Sequence, residues 1–220
     1  MPEVLVQYQA EIMTSIIQTA IMVGVSILAA ILVGLPVGTL LFLTSKGRIL
    51  ENKALYNSFN LVVNIIRSFP FLLLVVFLIP FTRVIVGSAI GTAAACVPLA
   101  IIAIAHYARL VEQSLLEVPR GVIEAAISMG ATVKAIIFKF LYVEARSGLV
   151  LGLTTSTISF ISYSTIMGVV GGGGIGDFAI RYGYQQFKTD LMMYMIIIMI
   201  IFVQFIQIIG TTVARKIDKR

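Results

Sequence analysis

Three glycines, Gly171, Gly173 and Gly176, have the G-x-G-x-x-G spacing that binds the diphosphate of a dinucleotide at the start of a helix. That chemistry needs a preceding β-strand within a βαβ unit, whereas here a long stretch of helical length precedes the glycines. No Lys-Ser or Lys-Thr pair follows them, so the stretch is not a P-loop either. Two interpretations are left: a flexible outer loop, or a functional element that acts as a gate hinge or as a docking surface.

A second group of chemically useful residues is a run of hydroxyl side chains. It contains Thr154, Thr155, Ser156, Thr157, Ser159, Ser162, Ser164 and Thr165, with Tyr163 among them. In a membrane helix, hydroxyls either form hydrogen bonds with neighbouring helices or line a wet path. Thr155, Ser159, Ser162 and Ile166 fall on one helical stripe. We favour the second interpretation, a translocation path lined by this stripe and closed by bulky groups such as Tyr163 and Ile166.

Enzyme chemistry is not expected of this chain. It has one cysteine, Cys96, and one histidine, His106. A disulfide within the chain is therefore impossible, and hydrolytic or metal chemistry built on clustered histidines is improbable. We expect no catalytic residue, no metal site and no cofactor.

The composition predicts the elements that position these residues. Of the 220 residues, 59% are hydrophobic and only 12% are charged, which indicates an integral membrane protein. We predict a single all-α transmembrane domain over 1–220 with about five helices, because each apolar stretch is long enough to cross about 30 Å of hydrocarbon. The predicted spans are 16–43, 59–80, 84–108, 147–170 and 191–213.

Basic residues predict the orientation of these spans. Twelve lysines and arginines fall on one side: Lys46, Arg48, Lys53, Arg109, Arg120, Lys134, Lys139, Arg146, Arg215, Lys216, Lys219 and Arg220. The other side has three, Arg83, Arg181 and Lys188, and Arg67 is ambiguous. This asymmetry predicts an external N-terminus and a cytoplasmic C-terminus. The net charge of +6 is then a signal of topology, and nucleic acid is the weaker interpretation.

A short amphipathic segment, EAAISMGATVKAIIF at 124–138, lies in the predicted cytoplasmic loop, whose central part covers about 117–142. Pro119 can open a first helix and Gly130 can cap its end, while Thr132 can cap a second short helix. The loop is then two short amphipathic helices at an angle. One interpretation is a hairpin lying on the membrane surface, and the other is a docking element for a partner.

The same segment resembles the EAA loop of the permease subunits of bacterial ABC importers, through Glu124, Ala125, Ala126 and Gly130. Where that family's pattern ends in Leu-Pro, this chain has Tyr142-Val143. Further stretches resemble the methionine-importer branch of the family: GLPVG (34–38), NIIRSFPF (64–71), IPFTRVIVG (79–87), ARLVEQSLLEVP (108–119) and GYQQF (183–187).

The resemblance implies a five-helix subunit that works as a homodimer in the bacterial cytoplasmic membrane. It implies two ATP-binding partner subunits, which dock on Glu124, Ala125, Ala126 and Gly130, and an external substrate-binding lipoprotein. The expected function is ATP-driven import of D- or L-methionine, with ATP bound by the partner. The alternatives are a permease for another amino acid or small polar solute, and a stand-alone secondary transporter. The second alternative would need buried ionisable residues, which the predicted spans almost lack.

Overall fold

The first element, α1, is a single long helix at the N-terminal side of the chain. The structure, a computed structural model, describes residues 6–218, so Lys219 and Arg220 of the predicted basic cluster lie outside the described residues. Helix α1 covers Gln9–Thr44 without a break. It contains a π-helical turn, Ala30–Gly34, directly before Pro36. Because proline has no amide hydrogen to donate, the wider turn lets the helix continue past it.

The second predicted span, 59–80, is a broken helix. Helix α2 covers Lys53–Ser68 and α3 covers Phe71–Phe77, and the two axes meet at 107°. Pro70 precedes α3, and a residue before proline is pushed toward extended backbone; Phe69 has ψ 131° and ends α2. A short helix, α4 (Ile79–Val86), follows and ends on Gly87 at φ +80°.

The third predicted span, 84–108, begins inside α4, whereas the helix that crosses the molecule starts later. This helix, α5, covers Thr92–Leu116 and packs against α1, α2 and the hydroxyl-rich helix. Nearly every face of α5 is therefore covered by protein, which makes it the centre of the fold.

The remaining helices follow the predicted loop. Helix α6 covers Arg120–Ser128, directly after Pro119. Helix α7 starts as Val133–Ala135, continues through a π-helical segment, Ile136–Leu141, and runs on as Tyr142–Val169. Helix α8 is Gly174–Phe178 with a π-helical extension, Ala179–Tyr184, and α9 is Thr189–Ile217. In the described part of the chain every regular element is helical, so the all-α fold class is confirmed.

Close approach of backbones holds α1 and α7 against α5. Carbon atoms added at Gly34 and Gly38 of α1 would lie 3.0 and 2.3 Å from the carbonyl oxygens of α5 residues. On α7, carbon atoms added at Gly148 and Gly152 would lie 3.0 and 3.3 Å from the side chains of Ser114 and Leu110, a looser contact than that of Gly38 on α1. Small residues matter here because lipid is as apolar as the helices, so association depends on close contact rather than on escape from water.

By length and apolar character, α1, α5 and α9 qualify as membrane spans, and the bent pair α2–α3 would make a fourth. Helix α7 is equally long, but its hydroxyls lower its apolar character. The residues that weaken α7 as a hydrophobic span are the same ones that suit a polar path.

Candidate functional site

The first candidate surface is the loop formed by α6 and the start of α7. Gly130 ends α6 at φ +75°, in the left-handed region that favours glycine. Its amide donates to the Ile127 carbonyl at 2.9 Å, and the amide of Ala131 donates to the Ala126 carbonyl at 3.0 Å. These two bonds form a Schellman motif, so the predicted glycine cap is confirmed.

Replacing Gly130 with alanine should loosen this cap. The added methyl group has open space around it, so the cost is the left-handed backbone alone, about 1–2 kcal/mol. Amide hydrogen exchange in the 126–131 peptide should therefore speed up by roughly tenfold. Gly121→Ala is the matched control, because Gly121 also has open space but helical backbone, and exchange there should not accelerate. Equal exchange rates in the two variants would contradict the capping role.

The second half of the loop differs from the expected separate short helix. Thr132 caps it as predicted, accepting a hydrogen bond from the amide of Ala135 at 3.3 Å. The helix then continues into α7 instead of stopping, because Tyr142-Val143 stands where a proline would break it. The Tyr142 hydroxyl also lies 2.8 Å from the hydroxyl oxygen of Thr39 on α1. The loop is thus rigidly joined to the long helix.

The four residues predicted to contact a partner do not share one environment. Glu124, Ala125 and Gly130 are exposed, whereas Ala126 is fully buried in the protein's own core. The small side chain of Ala126 therefore lets α6 approach its own subunit rather than a neighbour. Three large apolar residues are exposed on this loop: Ile127, Met129 and Phe138.

A cavity of about 280 Å³ separates α6 from the loop that follows α1, and it is lined by Arg48, Arg120 and Glu124 among others. The guanidinium carbon of Arg48 lies 4.4 Å from the centre of the Phe42 ring. Burial lowers the pKa of Arg48, and the nearby charge of Arg120 lowers it further. Glu124 thus stands at the rim of a region where two cations lie close together.

The second candidate surface is the predicted path stripe on α7. Thr155 and Ser162 are exposed in the single chain, and Ser159, Tyr163 and Ile166 are half-buried. The structure therefore places the stripe on one open face of α7. The Ser159 and Ser162 hydroxyls donate to the carbonyls four residues earlier, at 3.2 and 3.3 Å. These are bonds within the helix, so the hydroxyl oxygens can still accept from a passing solute.

Four other hydroxyls of α7 lie off the open stripe. Thr154, Ser156, Thr157 and Ser164 are buried against neighbouring helices. Thr154 and Thr157 donate to carbonyls of their own helix at 2.8 Å, so burial leaves them satisfied. Only part of the run therefore belongs to the open stripe.

The glycine-rich stretch is tied to α1. The amide of Gly174 donates to the Gln18 side chain at 2.7 Å, and the amide of Ile175 donates to the Thr19 hydroxyl at 2.9 Å. A carbon atom added at Gly173 would lie 2.5 Å from the Gln18 oxygen. This stretch is therefore seated on the N-terminal half of α1, and its role as a hinge or docking surface stays a prediction.

Sequence reasoning missed a polar face on α2. Asn60 and Asn64 accept hydrogen bonds from the guanidinium of Arg109 on α5, each at 2.7 Å. The same guanidinium forms an ion pair with buried Glu112, to which the Tyr56 hydroxyl donates at 3.4 Å. The signal was present in the sequence as polar residues that recur at helical spacing, Lys53, Asn57, Asn60, Asn64 and Arg67.

Comparisons with known proteins agree with this architecture. Residues 34–220 match the family described as "Binding-protein-dependent transport system inner membrane component". A "Probable D-methionine transport system permease protein" of Vibrio cholerae is 46% identical over 209 residues, covering 95% of this chain and 93% of the relative. A "Methionine import system permease protein" of Bacillus subtilis is 46% identical over 181 residues, covering 82% of each chain.

A solved structure is also similar over nearly the whole length. It is described as "Inward facing conformations of the MetNI methionine ABC transporter". Its matching chain superposes with a TM-score of 0.94 at 41% identity, covering 97% of this chain and 99% of that one.

Proposed function

This chain belongs to the family of binding-protein-dependent transport system inner membrane components, and on that premise we propose that it is the permease subunit of an ATP-driven methionine importer. It is a multi-pass protein of the inner membrane. Its own task is to form the path, and the chemistry of ATP belongs to a partner. No catalytic group or cofactor is needed in this chain for that task.

The observation that carries the proposal is the continuity between the exposed loop and the polar stripe. Helix α6 ends at the Gly130 cap, and α7 begins three residues later, at Val133, and runs without a break to Val169. A force on α6 would therefore reach the stripe along one helix. Differential binding of a partner to two orientations of this unit would shift the population between them.

The partner at this loop is an ATP-binding subunit, present in two copies. Exposed Glu124, Ala125 and Gly130 offer the polar and small-residue contacts, and exposed Ile127 and Met129 offer apolar ones. ATP binding would draw the two partner subunits together and carry the two α6 helices with them. The alternative, a hairpin that lies on the membrane surface, would leave the charged rim at Glu124 without a role.

A second copy of the chain completes the path. Thr155 and Ser162 stand on an exposed face of α7, and hydroxyls gain nothing from facing lipid. Pairing two copies about a twofold axis would turn these faces toward each other and enclose a wet path. An external binding lipoprotein would deliver the substrate at the side of the glycine-rich stretch. The N-terminus is then external and the C-terminus cytoplasmic.

Reconstitution tests this function directly. The chain is co-expressed with its ATP-binding partner, purified, and placed in liposomes with labelled methionine and the binding protein. We expect co-purification and uptake that stops without ATP. Uptake of another amino acid in preference to methionine would favour the first alternative, and uptake driven by an ion gradient without ATP would favour a secondary transporter.

The polar path makes a separate prediction at Ser159 and Ser162. Leucine at both positions should fill the stripe and reduce uptake by roughly tenfold, equivalent to about 1.4 kcal/mol of barrier. Alanine at both positions is the matched control and should matter little, because it removes no more than two weak bonds within the helix. Association with the ATP-binding partner should stay normal in both variants. Full uptake by the leucine variant would place the path elsewhere.

A further inference from the structure

One arginine on the polar face of α2, Arg67, has no hydrogen-bond or ion-pair partner in the part of the chain that the structure describes. Arg67 follows Asn64 by three residues and Asn60 by seven, so all three share one face of the helix. Arg109 donates hydrogen bonds to both asparagine side chains and forms an ion pair with Glu112. Within residues 6–218, by contrast, Arg67 makes no hydrogen bond or ion pair, and its side chain is exposed. One cation of this face is neutralised and the other is free.

The position of Arg67 makes a free cation costly. Arg67 lies eight residues inside the predicted second span, 59–80. At 1.5 Å per residue this is about 12 Å into a hydrocarbon layer of about 30 Å. A charged side chain at that depth faces a bundle interior or a water-filled cavity rather than lipid.

The backbone gives a second, independent observation in this region. Helix α2 ends at Ser68, and α3 begins three residues later at an angle of 107°. Broken helices are tolerated inside a membrane where the break is buried in protein or lines a cavity. Phe69 and Pro70, the residues of the break, are exposed in the single chain, so the break faces the proposed second copy of the chain or the cavity between the two copies.

Contacts with α7 place the break beside the hydroxyl stripe. The ring of Phe71, at the start of α3, stacks on the ring of Tyr163 at a centroid distance of 4.6 Å. Arg67 lies in the last turn of α2, directly before this break. The free cation, the broken helix and the path stripe therefore converge on one region.

We propose that Arg67 is a substrate-binding residue of the path, whose guanidinium holds the carboxylate of the amino acid as it passes the α2–α3 break. The inference rests on the proposed function. It adds one fixed positive charge to a path that was expected to be lined by hydroxyl groups alone. A guanidinium presents paired donors that match the two oxygens of a carboxylate. The C-terminal end of α2, one residue further on, is the negative end of a helix dipole and suits the ammonium group. One site thus serves both charges of the zwitterion.

Charge rescue at position 67 tests the proposal in the assembled transporter with its partner and binding protein. Cys96→Ser provides a cysteine-free parent, and Arg67→Cys is added to it. We expect methionine uptake to fall by roughly tenfold to a hundredfold, the loss that accompanies removal of a charge-assisted hydrogen bond. A positively charged aminoethyl methanethiosulfonate should restore most of the uptake, and a negatively charged sulfonatoethyl reagent should not. Arg83→Cys, an exposed site on α4, is the matched control and should respond to neither reagent.

Several results would overturn the proposal. The proposal is wrong if Arg67→Cys takes up methionine at the rate of the cysteine-free parent. It is also wrong if both reagents restore uptake equally, or if neither reagent restores it. Loss of partner association in Arg67→Cys, with Arg67→Lys equally defective, would assign the residue to the fold instead. A parent complex that takes up no amino acid would overturn the proposed function and this inference with it. If the parent complex takes up methionine and Arg67→Cys is equally active, only the inference about Arg67 is overturned and the proposed function stands.

Discussion

Replacing Gly38 with alanine is expected to prevent α1 from docking on α5. The added carbon would lie 2.3 Å from the carbonyl oxygen of Ala108 and 2.7 Å from the Val111 side chain, whereas ordinary contacts begin near 3.4 Å. The nearest atom belongs to the backbone of a fully surrounded helix, so it cannot move aside alone. We expect a loss of about 3 kcal/mol in stability, the upper part of the usual cost of overpacking.

The measurement is the amount of folded protein recovered from membranes and its thermal unfolding in detergent. Gly24→Ala is the matched control, because Gly24 lies on the same helix and has no atom within 4 Å of an added carbon. The control should behave like the unchanged protein. Equal recovery and unfolding temperature for the two variants would mean that α1 is free to shift along α5.

Reversing the charge of Glu124 should uncouple transport. A lysine there would add a third cation beside Arg48 and Arg120 at the rim of the cavity they share, and it would remove an exposed carboxylate from the proposed docking surface. Like charges in such proximity oppose assembly, so we expect ATP-dependent uptake to fall by at least roughly tenfold. Membrane insertion should be unaffected, because the residue is exposed and outside the spans.

Glu117→Lys controls for the change in net charge. Glu117 is also exposed and lies in the same loop, but it precedes α6. Uptake and ATP hydrolysis are measured for both variants at equal protein levels. Full uptake by Glu124→Lys would remove this residue from the coupling role, and equal loss in both variants would point to a general electrostatic effect.

Features governed by local rules were predictable from the sequence. The caps at Gly130 and Thr132 depend on neighbouring residues only, and both were confirmed. The spacing of Gly34 and Gly38, four residues apart, is likewise typical of close helix contact, and the structure locates that contact on α5. In each case the physical cause lies within a few residues of the feature.

Features that depend on tertiary contacts were not predictable in the same way. Pro70 indicates a kink in the second span, because the residue before a proline is pushed out of the helical region, but the sequence does not report that the angle between α2 and α3 is 107°. Periodicity could not decide that Ala126 faces its own core, because both faces of α6 carry small or apolar residues. The ion pair between Arg109 and Glu112 was hidden by a predicted third span that ended one residue too early to include Arg109.

The length of α1 makes the lipid itself a variable of the assembly. Its 36 residues extend about 54 Å, far more than the hydrocarbon thickness of about 30 Å, so the helix must lean and protrude. The tilt angle of α1 changes with the acyl-chain length of the bilayer. The glycine-rich stretch is hydrogen-bonded to Gln18 and Thr19 of α1, so it moves with the helix. Liposomes with longer or shorter lipids should therefore shift the N-terminal end of α1 together with the glycine-rich stretch, and transport rates of variants are comparable only within one bilayer thickness.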